Sequence, residues 1–206
     1  MAPINRGPAL LALARAAIAQ ALGLPHARVD SINSDNPTAD RATTDDADWL
    51  QEPGACFVTL TQGGQLRGCI GSLEARRPLR DDVRANAVAA ALRDTRFPPL
   101  TTAELAHTRV EVSVLSPTQP LAFSSEADAL AQLRPQVDGV VLEYAGHRGT
   151  FLPQVWEQLP TPQAFMAHLK RKAGLPSNFW TDGVRLQRYT VDKWQEETGP
   201  ANGATA

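Results

Sequence analysis

Apolar residues near the start of the chain recur at helical spacing, at Leu10, Leu11, Ala14, Ile18, Ala21 and Leu22, and Gly23 and Pro25 supply a stop. This predicts a core-packed first helix. Further on, Phe57-Val58-Thr59-Leu60 and Leu66-Arg67-Gly68-Cys69-Ile70 flank Gln62-Gly63-Gly64-Gln65, and a Gly-Gly pair between two apolar-rich runs predicts a β-hairpin. With Gly63 and Gly64 as the turn residues, Gln62 pairs with Gln65, Leu60 with Arg67, Val58 with Cys69 and Cys56 with Gly71. On that register Arg67 and Cys69 share a face, and Leu66, Gly68 and Ile70 take the other.

Beyond Pro78, the spacing of Leu79, Val83, Ala87, Ala90 and Ala91 predicts a second helix, small on its packing side and able to lie close to a sheet. Thr101 followed by Glu104 fits a capping box for a short helix. His107 to Leu115 alternates, with Val110, Val112 and Val114 on one side and Arg109, Glu111 and Ser113 on the other, as a half-buried strand does. Ser124 to Leu133 reads as helix and Gly139 to Tyr144 as strand. Thr161-Pro162 opens a last long helix that exits at Gly174-Leu175-Pro176, and Val184 to Val191 is a weakly alternating closing strand. Interleaved helices and strands with an early hairpin exclude a purely parallel doubly wound sheet. The predicted class is α+β, with a mixed or antiparallel sheet flanked by helices.

Composition narrows the field. Of 206 residues, 43% are apolar and 20% charged, with a net charge of −2, as in an ordinary globular protein large enough for a real core. The first apolar run, Ala9 to Ala14, is far short of the roughly 20 residues a bilayer span requires, and the start does not read as a secretory signal. The expectation is a cytoplasmic protein, with no membrane and, given the near-neutral balance, no nucleic acid among its partners. Two cysteines, Cys56 and Cys69, are too few for a disulfide framework or an iron–sulfur cluster, and four histidines show no paired ligand spacing, so neither a metal nor a cofactor is expected. From Asp30 to Glu52 seven acidic residues face one basic residue, Arg41, which reads as an acidic surface loop; the tail from Glu196 reads as disordered.

Chemistry concentrates in Leu66-Arg67-Gly68-Cys69-Ile70-Gly71. Glycines weaken a strand and call for a bulge or a close approach, and two of them bracket a cysteine, which suggests space around the thiol. Arg67, on the same predicted face, would stabilise a thiolate. A buried cysteine that only fills the core is the competing reading, and it is the one that suits Cys56. Arg93-Asp94-Thr95-Arg96-Phe97-Pro98-Pro99 ends the Ala-rich helix, where Asp94 and Arg96 either pair to anchor the turn or present Arg96 as a clamp for a carboxylate or phosphate. Glu111 and Ser113 lie on a solvent face or look onto the Cys69 hairpin, in which case Glu111 is a candidate base or arginine partner. His147-Arg148-Gly149-Thr150 follows the strand ending at Tyr144.

The string LRGCIGSLEARRPLRDDVRANAVAAALRDTRFPPL (66–100), with VEVSVLSPTQPL (110–121), DGVVLEYAGHRGTFLPQVWEQLP (138–160) and FMAHLKRKAGLPSNFW (165–180), resembles the AMMECR domain family, whose bacterial and archaeal members are called AmmeMemoRadiSam system protein A. The resemblance runs from about Leu10 to Trp194. It implies a single α+β domain over residues 8–195 with a smaller appended lobe, and a cleft whose motif residues are Arg67, Gly68, Cys69, Gly71, Asp94, Arg96, Phe97, Glu111, Ser113 and Arg148 to Gln154. It also implies association with a Memo-like protein and a radical-SAM enzyme, so that any iron–sulfur chemistry belongs to another chain. It implies no reaction. Two readings stay open: a thiol-dependent enzyme or modification component, with Cys69, Arg67 and Glu111 catalytic and Gly68, Gly71, Asp94, Arg96, Ser113 and Arg148 holding a small anionic molecule, or a non-catalytic ligand- or partner-binding adaptor using the same cleft.

Overall fold

A computed structural model describes residues 6–24 and 48–197. The elements are α1 (Gly7–Ala21), α2 (Asp48–Gln51), β1 (Pro53–Gln62), β2 (Gln65–Gly71), β3 (Arg77–Pro78), α3 (Leu79–Leu92), α4 (Thr102–Leu105), β4 (Arg109–Leu115), β5 (Gln119–Leu121), α5 (Glu126–Gln132), β6 (Gly139–Tyr144), β7 (His147–Phe151), α6 (Pro162–Lys172), β8 (Arg185–Tyr189) and β9 (Val191–Gln195). The chain divides into two compact units, one running to Val114 and resuming at Lys193, the other spanning Leu115–Asp192. The fold is α+β, with antiparallel pairing in both sheets. No helix among the described residues is long and apolar enough to cross a membrane.

In the first unit the strands run β2-β1-β4-β9, with β3 paired to the start of β1. Val58 and Leu60 of β1 and Val110 and Val112 of β4 are fully buried in one cluster with Leu10, Ala14 and Ile18 of α1 and Val83 and Ala87 of α3. One face of the sheet therefore carries the helices. The last turn of the acidic segment belongs to this core: Asp48–Gln51 is helical, Leu50 is buried and Trp49 lies under the Arg6 guanidinium, whereas residues 30–47 of the expected loop lie outside the described residues.

The hairpin forms around Gly63 and Gly64, both at positive φ, and pairs Gln62 with Gln65 as expected. The rest of its predicted register is wrong by one residue. A bulge between Leu60 and Thr61 leaves Arg67 without a partner, so that Leu60 faces Gly68, Thr59 faces Cys69, Val58 faces Ile70 and Phe57 faces Gly71. Cys56 consequently falls opposite Ser72, which donates its N–H to the Cys56 carbonyl at 2.9 Å.

One further expectation is corrected. The tail does not begin at Glu196: its carboxylate takes Arg15 and the Val110 N–H, and its carbonyl takes Arg109, so it is fixed to α1 and β4; residues 198–206 lie outside the described residues. Strand β4 keeps its expected alternation, with Val114 packed against the same core as Val110 and Val112, and Ser113 is buried on the opposite face.

The second unit is a sheet in the order β5-β8-β6-β7. Trp156 stacks on Phe165 of α6 at 3.8 Å and donates its indole N–H to the Asp138 carbonyl at 2.7 Å, and buried Lys170 pairs with Glu126 under the Trp180 ring. The expected closing strand at 184–191 is two strands, β8 in this sheet and β9 in the first. Strand β7 escapes sequence patterning because His147, Arg148, Gly149 and Thr150 show no apolar alternation, and its turn places Ala145 at positive φ where glycine or asparagine normally signals a hairpin.

Gly68 sets the distance between α3 and the sheet, since a Cβ there would stand 2.2 Å from the Ala90 carbonyl oxygen, a backbone atom that cannot swing away. A Gly68→Ala substitution is expected to destabilise the chain by about 1–3 kcal/mol in urea unfolding, the range for overpacking. Unchanged stability would show that the helix yields freely.

Candidate functional site

Strand β2 is an edge strand, and at Cys69 its outer edge is occupied by the loop after α3. Asp94 accepts the Cys69 N–H at 2.9 Å, and Arg96 donates Nη2 to the Cys69 carbonyl at 3.1 Å. The two side chains also pair with each other, Arg96 Nε to Asp94 Oδ1 at 2.9 Å and Arg96 Nη2 to Asp94 Oδ2 at 2.7 Å. Helix α3 has already ended at Leu92, and the Phe97 N–H closes the following turn on the Asp94 carbonyl. The ion pair thus anchors the turn, and the same pair grips the peptide of the cysteine.

The Asp94 carboxylate is buried, and its charge is retained because Arg96, then the Cys69 and Arg96 N–H groups, donate to it. These bonds hold its pKa far below the ordinary carboxylate value despite the opposing cost of burial. Arg96 is raised in turn, chiefly by its bond to Asp94, with the Coulombic pull of Asp94 and of the Cys69 sulfur adding to it.

The Cys69 thiol is half-buried. Because Val58, Leu60, Gly68 and Ile70 face α3, alternation puts Phe57, Thr59, Cys69 and Gly71 on the opposite face. There Thr59 donates its hydroxyl to the sulfur at 3.4 Å. Glu111 and Ser113 share that face, since Val110 and Val112 of the same strand point into the helix-side core. Glu111 is ion-paired with Lys193 at 3.4 Å, and among the described residues Thr59 alone hydrogen-bonds to the thiol.

Two expectations about Cys69 change. The glycines do not clear space around the thiol: Gly68 admits the Ala90 carbonyl, and a Cβ at Gly71 would stand 2.2 Å from the Phe57 ring. Nor does Arg67 address the sulfur. From its bulge it donates to both carboxylate oxygens of Glu104 and to the Pro98 and Pro99 carbonyls, tying β2 to the start of α4. Glu104 completes the predicted capping box with Thr101. Its pKa is lowered to about 2, first by the Thr101 N–H and hydroxyl and then by Arg67. Arg148 lies on β7 in the second unit, where it pairs with Glu143 at 3.1 Å.

One cluster escaped the sequence reading. Asp82, 1% exposed, receives Ser72 and Arg77 on one oxygen and the Cys56 N–H and Asn86 on the other. Asn86 also reaches the Cys56 carbonyl. Burial, followed by the Asp82 charge, pushes the Cys56 thiol up, so this second cysteine is an inert part of the core. The available signal was two polar residues, Asp82 and Asn86, four apart on the packing face of α3. Among the described residues, no group of three histidine, cysteine or acidic side chains converges as a metal site.

An edge strand carrying a half-buried cysteine, clamped by an Asp/Arg loop beneath an Ala-rich helix, is the frame that the sequence motifs outline. The AMMECR1 family model matches residues 11–194, and the chain belongs to that family. It is 38% identical to a protein of Methanothermobacter thermautotrophicus over 163 residues, 76% of this chain and 83% of that one. It is 32% identical to a protein of Thermofilum pendens, over 94% of this chain and 91% of the relative. The crystal structure of an uncharacterized protein from Pyrococcus horikoshii superposes with a TM-score of 0.69 at 29% identity, covering 93% and 91% of the two chains.

Replacing Asp94 with alanine leaves the Cys69 N–H unsatisfied and frees Arg96, with an expected loss of about 1–3 kcal/mol. Amide exchange at Cys69 should accelerate in that variant; wild-type protection would show that the clamp is idle. Glu104, with a normal value of 4.5 lowered to about 2 in the fold, binds fewer protons folded than unfolded across that window, so it contributes stability above pH 4.5 that is lost as the pH falls toward 2. Urea midpoints measured from pH 5 to 2.5 should fall less steeply in Glu104→Gln than in the wild type.

Proposed function

We propose that this protein is a thiol-dependent modification component acting on a small anionic substrate, with Cys69 as the working group. The observation that carries this reading is a half-buried sulfur whose own residue is fixed at both its N–H and its carbonyl, beside a guanidinium with 55% of its side chain exposed. A nucleophile needs a fixed position, access and a cation nearby, and this residue has all three. In the proposed step the sulfur's electron pair forms a bond to an electrophilic carbon, the leaving group departs with the electrons of the broken bond, and the thiol proton goes to water. Thr59 orients the sulfur, and Arg96, rather than Arg67, attracts the anion. Arg67 and Glu104 support the loop that carries Arg96. On the strength of the family resemblance, a Memo-like protein and a radical-SAM enzyme are the proposed partners, and the reducing cytoplasm is the setting a free thiol requires.

A second reading, a ligand- or partner-binding adaptor in which Cys69 only packs, is favoured by the helix contact of Gly68 and the ring contact of Gly71, which explain both glycines without a ligand. Alkylation separates the two. Under the thiol reading, iodoacetamide modifies Cys69 at pH 7 faster than it modifies free cysteine, and Arg96→Met slows the reaction. A thiol slower than free cysteine, together with full cellular function in Cys69→Ser, would establish the adaptor instead.

A further inference from the structure

The edge of β2 is only partly capped. Cys69 turns its N–H and carbonyl outward, and so, two residues on, does Gly71, because the intervening pair, Val58 with Ile70, and the next contact, Ser72 to Cys56, lie on the inner side. Asp94 and Arg96 together replace one residue of a missing neighbouring strand: the carboxylate accepts from the Cys69 N–H, and the guanidinium donates to the Cys69 carbonyl. The ladder's next position calls for an acceptor oxygen at the Gly71 N–H. Among the described residues nothing supplies it. Arg96 engages Asp94 and Cys69 through Nε and Nη2, which leaves Nη1 without a partner among the described residues, on a side chain 55% exposed.

We infer that the Gly71 N–H and Arg96 Nη1 form a carboxylate-binding subsite at the edge of β2, next to the Cys69 thiol. A carboxylate is planar, as is the peptide group whose place it takes in the ladder. One oxygen accepts from the Gly71 N–H and the other from the guanidinium, giving two charge-assisted bonds in the plane of the sheet. Asp94 is the positioning residue, since it aligns the guanidinium by holding Nε and Nη2. The inference rests on the thiol reading only for its consequence, which is that the small anionic substrate is a carboxylic acid whose reactive carbon lies close to its carboxylate.

Two measurements on the full chain test it. In the first, the Gly71 amide resonance of ¹⁵N-labelled protein is followed during titration with sodium acetate, and separately with inorganic phosphate and with chloride at matched ionic strength. The expected result is a saturable shift with acetate, weaker with phosphate, absent with chloride and lost in Arg96→Met; no acetate shift, or a phosphate effect as strong, overturns the subsite. In the second, wild-type Cys69 is alkylated with iodoacetate and with the neutral iodoacetamide, the adducts being mapped by peptide mass. Relative to the same ratio for free cysteine, iodoacetate should be favoured roughly tenfold, the ratio that corresponds to about 1.4 kcal/mol. Equal reactivity toward both reagents without an acetate shift removes the subsite and leaves the thiol reading in place. An inert thiol with a saturable acetate shift does the reverse.

Discussion

The arrangement around Cys69 depends on one buried carboxylate. Asp94 is taken out of water with its charge intact, which is tolerable only because a guanidinium and two main-chain N–H groups replace its hydration. Each of those donors belongs to something that must be placed: Arg96 to the loop, the N–H of Cys69 to the edge strand. The electrostatic cost of burying one group is thereby converted into the registration of a loop against a strand. Two motifs about 25 residues apart in sequence become a single unit.

Packing reaches the same strand from the other side. Gly68 brings the Ala90 carbonyl against the sheet, and the small residues of α3 permit that approach. At the far end of the hairpin, the Asp82 network joins the start of β1, the residue after β2 and the start of α3 through four hydrogen bonds to one carboxylate. The thiol therefore sits on a strand held by a helix on one face, a charged loop along its edge and a buried polar knot beyond it. This explains how a residue on an edge strand, ordinarily among the less constrained parts of a sheet, is kept in one position.

Periodicity revealed most of the elements: α1, the Gly-Gly hairpin, α3, the capping box at Thr101 and the opening of α6 at Thr161-Pro162 all stand where spacing and punctuation put them. What escaped was any feature that depends on contacts distant in sequence. The bulge at Arg67 has no local signature, because it is the reach to Glu104 and the proline carbonyls that takes Arg67 out of the ladder. The same slip reassigned the cation near the thiol from Arg67 to Arg96. The glycines of RGCIG were legible as close approaches, but the approaching atoms, a helix carbonyl and a phenyl ring, were not. Arg148 reads as part of the motif set, yet its place on β7 depended on a hairpin that Ala145 concealed.

The division of the last strands has a consequence for assembly. The first sheet needs β9, and Glu196 fastens α1 and β4 through Arg15 and the Val110 N–H, across a separation of 181 residues in the case of Arg15. Everything from Leu115 to Asp192 is made before those contacts can exist. On a ribosome, the first unit emerges early with its sheet one strand short and waits for its final strand until the whole intervening unit has been synthesised. The inserted unit acts as the loop whose closure completes the first, which makes β9 and Glu196 the latch of a unit begun at α1.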